Sequence, residues 1–268
     1  MTDAHDAPAP VLFAVADGVA TVTLNRPDAM NSLDNATKDS LLAIVREVAD
    51  DPAIRVLVLT GSGRAFCVGQ DLKEHIAAQQ SGDVSLGDMV AEHYNPIGLL
   101  LATMDKPVVA AVNGVAAGAG ASLALAADFR IMVEEGGFNL AFAAIALSCD
   151  TGSSWTLPRL VGIAKAKELL LLPRTVSAQD CLALGLVTQV VPAAQFPAAV
   201  ADLAAKLAAG PTLAYGAIRN AIAFSAGHGF EESIENERLL MAATGRTADH
   251  TAAVEAFLSK TRPVYQGR

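Results

Sequence analysis

The sequence predicts an α/β fold followed by a helical C-terminal subdomain, and three observations carry this prediction. Short apolar runs at residues 54–59, 108–112 and 129–133 have the length and composition of buried strands. Helical patterns separate these runs, and strands that alternate with helices favour a mainly parallel sheet. Towards the C-terminus the pattern becomes almost continuously helical. We therefore place a core at residues 11–192 and a helical subdomain at residues 193–268.

The first elements follow from turn and capping signals. Residues 11–17 and 19–24 are predicted strands, and Asp17 with Gly18 forms the two-residue turn of a hairpin between them. Asp34 is the expected N-cap of the helix that follows, because apolar residues recur after it at helical spacing.

The remaining helices are predicted from periodicity and from the breaks between them. A helix is expected around residues 89–104, after a polar and mobile loop at 81–87. Breaks that contain Gly and Pro divide the C-terminal subdomain into four helices. These helices are predicted at residues 193–209, 212–226, 230–243 and 248–259.

Two turns rich in small residues lie directly after buried strands. Residues 113–125 read NGVAAGAGASLAL, and residues 65–72 read AFCVGQDL. A helix start leaves backbone N–H groups unpaired and carries a partial positive charge, which suits an anionic oxygen. Two such turns can supply the paired donors of an oxyanion hole. Tight packing of a helix against a sheet would also explain the first segment.

Composition limits the classes of function. Of the 268 residues, 52% are hydrophobic and 18% are charged, so the chain has ample material for a core. The net charge of −9 argues against a general binder of nucleic acids or membrane surfaces. Cys67, Cys149 and Cys181 form no CxxC pair, so we expect no metal site, no disulfide framework and a cytoplasmic location. Residues 1–10 are expected to be flexible, and they lack the pattern of a signal peptide.

Six motifs occur in order along nearly the whole chain. They are NRPDAMNSL from Asn25, AFCVGQDLKE from Ala65, KPVVAAVNGVAAGAG from Lys106, DTGSSWTLPRLVG from Asp150, SAQDCLALGLV from Ser177 and AFLSKTRP from Ala256. With these motifs the chain resembles the crotonase (enoyl-CoA hydratase/isomerase) superfamily. Four features look most like its ring-1,2-epoxyphenylacetyl-CoA isomerase branch: the run Tyr94-Asn95-Pro96, GAGAS in the second turn, LPRLVG, and the C-terminal GRTAD with AFLSK. The resemblance implies the crotonase (ClpP-like) fold, a spiral of ββα turns with a helical C-terminal trimerisation subdomain. It also implies a homotrimer or hexamer and an acyl-CoA substrate, with no cofactor beyond the coenzyme A of that substrate.

The resemblance assigns the reacting centre to five positions. The thioester carbonyl would sit between the backbone N–H groups of Gln70 and Ala119. Hydratases of the superfamily use two glutamates to activate a water, and these would lie at Ser122 and near Phe142, where this chain has no carboxylate. Asp150 falls where isomerases and some dehalogenases of the superfamily carry an aspartate. The resemblance therefore implies an isomerase in which Asp150 is the acid and base.

Each of these side chains also has a plainer interpretation. Asp150 precedes a small polar turn and a helix, which is the usual position of an N-cap. Ser122 as a nucleophile would need a base, and no histidine motif supplies one. Asn95 either touches the acyl group or merely satisfies its own polar atoms. Phe142 would form an apolar wall, and Cys67 is expected to be a small buried side chain.

Basic side chains must meet the coenzyme, because the chain as a whole is acidic. We place Arg26, Arg64, Lys73 and Lys260 near the coenzyme phosphates and adenine, although surface charge is the better interpretation of any one of them alone. The resemblance implies that Phe257 and Lys260 close over the adenine of a neighbouring subunit. The expected substrate-binding set is Arg26, Ala29, Val68, Asp71, Leu72, Lys73, Asn95, Ser122, Phe142, Phe257 and Lys260.

Three other functions remain open from the sequence. The first is an enoyl-CoA hydratase, and the second is a dehalogenase-like acyl-CoA hydrolase with Asp150 as its nucleophile. The third belongs to another class, a non-catalytic acyl-CoA-binding homologue, because both usual glutamates are missing.

Overall fold

The computed structural model describes residues 9–81 and 86–268, and the strands in this part form two sheets. In chain order the strands are β1 (Val11–Ala16), β2 (Val19–Leu24), β3 (Val56–Gly61), β4 (Ala65–Cys67), β5 (Val108–Val112), β6 (Val115–Ala117), β7 (Phe129–Val133), β8 (Gly137–Asn139), β9 (Val176–Ser177) and β10 (Gln189–Val191). The larger sheet has the order β1-β2-β3-β5-β7-β10, and the smaller one has the order β4-β6-β8-β9. In the larger sheet β1 is antiparallel to β2 and all other pairs are parallel, so the mainly parallel sheet is confirmed.

The α-helices of the described ranges lie between the strands and, near the C-terminus, after the last strand. They are α1 (Asn35–Asp50), α2 (Leu72–Ser81), α3 (Leu86–Met89), α4 (Asn95–Thr103), α5 (Ala119–Leu125), α6 (Ser153–Leu171), α7 (Ala178–Ala183), α8 (Phe196–Ala208), α9 (Thr212–Ser225), α10 (Phe230–Thr244) and α11 (Ala248–Ser259). A π-helical segment, Val90–Tyr94, joins α3 to α4. The four predicted C-terminal helices are thus confirmed within three residues at each end. None of the helices in the described ranges is long and apolar enough to cross a membrane.

From β3 to β8, successive strands alternate between the two sheets. Each of β3, β5 and β7 belongs to the larger sheet, and the strand that follows it, β4, β6 or β8, belongs to the smaller one. Because β4, β6 and β8 are parallel neighbours, the chain advances by one strand in each sheet per turn. This arrangement confirms the spiral of ββα turns. The smaller sheet was not predicted, because strands of three residues are too short to show a hydrophobic period.

Local signals near the N-terminus hold in the structure. Asp17 and Gly18 have positive φ angles of 52° and 76°, as a two-residue hairpin turn requires. The Asp34 carboxylate accepts a hydrogen bond from the Thr37 N–H, so it caps α1 as expected. All but two residues of the segment 1–10, which we expected to be flexible, lie outside the described residues. The predicted loop at 81–87 also lies largely outside them, and its last two residues begin α3.

The central strands are buried on both faces of the larger sheet. Leu57, Leu59 and Val112 join the main core, which α1, α4 and α5 also line. The alternate residues, such as Val58 and Val109, pack on the other face against α8. Since α8 covers that face, the first C-terminal helix packs on the sheet, and the boundary we drew at residue 192 stays a prediction.

Candidate functional site

The two turns rich in small residues lie side by side. They leave the same end of the smaller sheet, because β4 and β6 are parallel. An ideal Cβ atom built on Gly69 would lie 3.0 Å from the Ala117 carbonyl oxygen and 3.3 Å from the Ala119 backbone nitrogen. Gly69 also has a φ of 86°, a conformation that favours glycine. The backbone before Gln70 is thus packed directly against the start of α5.

The two N–H groups expected to hold a carbonyl oxygen have no backbone partner in the described part of the chain. Ala119 is the first residue of α5, so its N–H has no acceptor within the helix. Leu33 holds the backbone on either side of Gln70, since its N–H donates to the Gly69 carbonyl over 2.8 Å and its carbonyl accepts from the Asp71 N–H over 3.1 Å. These bonds leave the Gln70 N–H free. The arrangement supplies two donors for an oxyanion.

The close approach of α5 depends on a second glycine. A Cβ atom on Gly120 would lie 2.2 Å from the Cys67 carbonyl oxygen, which no side chain tolerates. Cys67 itself is fully buried, and burial raises the pKa of its thiol to about 12. The thiol is therefore neutral, which confirms Cys67 as a small buried side chain.

Asp150 lies half-buried just before α6. Burial raises the pKa of its carboxyl above the usual value, and a 2.8 Å hydrogen bond from the Thr151 hydroxyl partly opposes this effect. The N-cap of α6 is Gly152, and the Asp150 carboxylate accepts no hydrogen bond from an N–H of this helix. The interpretation of Asp150 as a helix cap is therefore wrong. Burial leaves the pKa of this carboxyl above that of an exposed aspartate, and its role as the acid and base stays a prediction.

The family resemblance predicts the glutamates of a hydratase at Ser122 and near Phe142, and both residues are buried in the structure. Ser122 is fully buried in α5, where its hydroxyl donates to the Gly118 carbonyl over 3.1 Å and shares a hydrogen bond with the Ser153 hydroxyl. No histidine of the described residues hydrogen-bonds to it, which agrees with the argument against a serine nucleophile. Phe142 is a buried apolar side chain. Neither residue can exchange a proton with a water as a carboxylate does.

A buried polar cluster next to the oxyanion donors was not predicted. The side-chain oxygen of Gln70 accepts a 2.6 Å hydrogen bond from the Tyr94 hydroxyl and a 3.2 Å hydrogen bond from the Lys38 ammonium. Lys38 also pairs with Glu74 over 3.5 Å. Helical spacing could have predicted the burial of Lys38, because it lies three residues before Leu41 on the apolar stripe of α1. Burial is the main reason that the pKa of Tyr94 is raised and that of Lys38 is lowered.

Arg26 and Asp71 lie together in an ion-pair network. The Arg26 guanidinium contacts Asp71 at 2.9 Å and Asp34 at 3.1 Å, and it donates to the Ser32 carbonyl over 2.6 Å. The Asp71 carboxylate also accepts from the Lys73 N–H at the start of α2. Burial alone would raise the pKa of Asp71, but the hydrogen bonds from Arg26 and the other donors outweigh it and lower the pKa. A phosphate at Arg26 would compete with two carboxylates, so its coenzyme role stays a prediction.

The other predicted binding residues lie on the surface or at its margin. Ala29 and Val68 are half-buried, whereas the side chains of the remaining residues are exposed and make no hydrogen bond or ion pair within the described residues. These exposed residues are Leu72, Lys73, Asn95, Phe257 and Lys260. The structure thus joins Gln70, Ala119, Ser122 and their neighbours in one region. It leaves Phe257 exposed on α11 and Lys260 exposed directly after this helix. No group of three or more His, Cys, Asp or Glu side chains in the described ranges is arranged to hold a metal ion.

Comparison with known proteins gives a consistent result. Residues 14–268 match the family described as enoyl-CoA hydratase/isomerase. The chain is 39% identical to the 1,2-epoxyphenylacetyl-CoA isomerase of Escherichia coli, over 96% of this chain and 98% of that protein. It is 37% identical to a Rhodobacter capsulatus protein provisionally named an enoyl-CoA hydratase, with the same coverage.

A solved structure shows the same fold. The crystal structure of a Mycobacterium abscessus protein, provisionally named an enoyl-CoA hydratase/isomerase, superposes with a TM-score of 0.92. Its sequence is 39% identical, and the match covers 96% of this chain and all of that one. The similar proteins therefore share the fold and carry the names of two different reactions.

Proposed function

Because the chain belongs to the enoyl-CoA hydratase/isomerase family of the crotonase superfamily, we propose that this acyl-CoA enzyme is an enoyl-CoA isomerase. One observation carries the proposal: Asp150 is a half-buried carboxyl with a raised pKa, whereas Ser122 and Phe142 provide no second carboxylate. Hydration needs a water held between two acid and base groups. Moving a double bond needs one group that takes a proton from one carbon and returns it to another.

The proposed reaction has two steps. The Asp150 carboxylate takes a proton from the α-carbon of a 3-enoyl-CoA, and the electron pair of that C–H bond moves into the thioester to form a dienolate. The N–H groups of Gln70 and Ala119 donate to the negative oxygen and stabilise it. Asp150 then returns the proton to the γ-carbon, which yields the 2-enoyl-CoA. A pKa above that of an exposed aspartate favours both transfers near neutral pH.

A ring-1,2-epoxyphenylacetyl-CoA is the second substrate that we propose. The support is the 39% identity with the Escherichia coli isomerase of that name, which extends over nearly the whole of both chains. Both substrates need the same oxyanion hole, because each is a CoA thioester. Fatty-acid and phenylacetate breakdown are accordingly the two pathways in which we would place the enzyme.

Hydratase activity is the main alternative, and the Rhodobacter capsulatus relative carries that name. It would require a second acid or base in addition to Asp150, and no carboxylate stands at Ser122 or Phe142. In a dehalogenase-like hydrolase Asp150 would instead attack the substrate as a nucleophile. A non-catalytic acyl-CoA-binding protein would keep the binding site and show no turnover.

The assembly and location are also part of the proposal. We propose a homotrimer or hexamer in the cytoplasm, with Phe257 and Lys260 closing over the adenine of a neighbouring subunit. Their exposure at the end of α11 supports this, since neither side chain forms a hydrogen bond or ion pair with the described part of its own chain. We propose no cofactor other than the coenzyme A of the substrate.

One preparation of the protein tests the reaction type. Conversion of a 3-enoyl-CoA to its conjugated 2-enoyl isomer raises the absorbance of the thioester, whereas hydration of crotonyl-CoA lowers it. We expect isomerisation and poor hydration. Fast hydration without isomerisation would contradict the isomerase proposal, and the absence of both activities on these and on an aryl-epoxide CoA ester would favour the non-catalytic alternative.

A further inference from the structure

The side chain of Gln70 is held on all of its polar atoms, although only the backbone of this residue is assigned to the site. Its oxygen accepts from Tyr94 and Lys38. Its amide nitrogen lies 3.4 Å from a Glu74 carboxylate oxygen and 3.5 Å from the Asp71 carbonyl. An exposed glutamine has no need of such a set of partners, since water would satisfy it.

A buried lysine at position 38 is energetically unfavourable. Its side chain is fully buried, and removing a charge from water is unfavourable. It also lies in the first turn of α1, where the helix dipole disfavours a cation. Glu74 offsets part of this cost at 3.5 Å, and the ring of Tyr94 lies 5.8 Å from the ammonium. An apolar side chain would fill the same stripe of α1 with less cost.

Together the contacts fix one peptide group. Leu33 pins the backbone on both sides of Gln70, and Lys38 with Tyr94 pins its side chain. With the α-carbon held from both directions, the Gln70 N–H cannot turn away from the position beside Ala119. The ammonium of Lys38 lies 3.2 Å from the side-chain oxygen of Gln70, so this contact holds the side chain with a charged donor.

We propose that Lys38 and Tyr94 are positioning residues that hold the Gln70 peptide in the oxyanion hole. In this role they act through the Gln70 side chain, which both of them contact. The inference rests on the proposed function insofar as Gln70 binds the thioester oxygen, and it adds two residues to that site. It predicts that their loss weakens stabilisation of the enolate more than it weakens binding of the thioester.

Three variants of the full-length protein test the inference. Lys38→Met keeps the length of the side chain and removes the charge, and Tyr94→Phe removes one hydroxyl. Lys165→Met is the matched control, because Lys165 pairs with Glu168 on the exposed surface of α6. Thermal unfolding shows whether each variant folds. Should Lys38→Met fail to fold, Tyr94→Phe still tests the inference, since it removes a single atom.

Kinetics give the first measurement. We expect each of the two site variants to lower kcat about tenfold to a hundredfold, since small displacements of a catalytic group cost on the order of 10²-fold. KM should change by less than about twofold, because the ground state binds similarly. The double variant should lower kcat by less than the product of the two single fold-changes, since both residues act through Gln70. Lys165→Met should match the wild type.

A second measurement does not depend on turnover. Octanoyl-CoA labelled with ¹³C at its carbonyl has no double bond to move, and its carbonyl stretch in difference infrared spectra falls when the oxygen accepts hydrogen bonds. We expect the carbonyl stretching frequency to fall when octanoyl-CoA binds to the wild type. It should fall by less when octanoyl-CoA binds to Lys38→Met or Tyr94→Phe. A wild-type protein that shifts this band but isomerises nothing would contradict the proposed reaction alone, and the infrared comparison would still decide the inference.

Three results would contradict the inference. Folded Lys38→Met and Tyr94→Phe variants with wild-type kcat and a wild-type carbonyl band would overturn the inference. A lower kcat with an unchanged carbonyl band would overturn it too, because the effect would not pass through the oxyanion hole. No band shift in the wild type would remove the oxyanion assignment on which the inference rests, and the inference with it.

Discussion

The hydroxyl of Thr151 donates a 2.8 Å hydrogen bond to Oδ1 of Asp150 from a backbone conformation that threonine rarely adopts. Its φ angle is 51°, in the left-handed region that disfavours β-branched side chains. Such a conformation costs about 1–3 kcal/mol and persists only when the surroundings impose it. Thr151 is buried, and α4 packs on it so closely that a Cβ atom on Gly98 would lie 3.4 Å from its methyl group. The strained backbone of Thr151 therefore coincides with the hydrogen bond that orients Oδ1 of Asp150.

Replacing Thr151 by Val should shift the pH dependence of the reaction. The change keeps the branched shape and removes the hydroxyl, whose hydrogen bond lowers the pKa of Asp150. The reaction needs Asp150 unprotonated, so activity rises as pH rises through this pKa. The acidic limb of the pH–rate profile should therefore move up by about one unit, because one unit corresponds to about 1.36 kcal/mol, the size of one hydrogen bond.

Thr151→Ser is the matched control for this prediction, since it retains the hydroxyl. Its acidic limb should stay at the wild-type pH. Tyr94 stays neutral through this range, because burial above all, and the Asp150 carboxylate to a smaller extent, raise its pKa. A Thr151→Val variant with an unmoved limb would show that the hydrogen bond does not tune Asp150.

The long helices and strands could be predicted from the sequence, but the contacts between residues far apart in the chain could not. The strand Val108–Val112 was predicted at its observed bounds, because an apolar run of that length has few other structures open to it. The two turns that lie side by side at the candidate site were singled out from their small residues, and their role as an oxyanion hole stays a prediction. The partners of the Gln70 side chain were not found, since Lys38 and Tyr94 lie 32 and 24 residues away and only the fold brings them together.

Asp150→Asn should abolish turnover while acyl-CoA binding survives. The change is nearly isosteric, but an amide cannot carry the proton between carbons, and loss of a general acid or base typically costs about 10²–10⁴ in rate. Steady-state kinetics on a 3-enoyl-CoA and calorimetric titration with octanoyl-CoA would measure the two properties separately. A variant within a few-fold of the wild-type rate would mean that the proton moves through another group.

The same substitution should change how stability depends on pH. Burial raises the folded-state pKa of Asp150, so the folded protein binds more protons than the unfolded chain between the two pKa values. Wild-type stability therefore falls as pH rises from the unfolded value of about 3.9 through the raised folded value, and the penalty persists above it. Denaturant unfolding of Asp150→Asn should show the wild type losing free energy of unfolding relative to the variant over this window. A constant difference between the two proteins would contradict the raised pKa.

An assembly based on trimers should form in solution. The last helix exposes Phe257 at 80% and Leu258 at 75%, together with Val254, and an apolar face of this kind needs a partner. Light scattering at micromolar protein should give the mass of a trimer or hexamer. Lys260→Ala should then raise the KM for acyl-CoA without changing that mass, if Lys260 acts across the subunit boundary. A monomer under these conditions would be inconsistent with the proposal.

Replacing Ala119 by Pro should remove one oxyanion donor and distort the start of α5 without unfolding the protein. Ala119 is the first residue of α5, and proline is tolerated at this position because its missing N–H has no partner in the helix. The loss in kcat should reach at least the ~10²–10³ typical of one oxyanion donor. Ala119→Gly keeps the N–H and should be mild, which separates the donor from the shape of the turn. A Pro variant that folds, as judged by circular dichroism, and retains wild-type kcat would show that the thioester oxygen is held elsewhere.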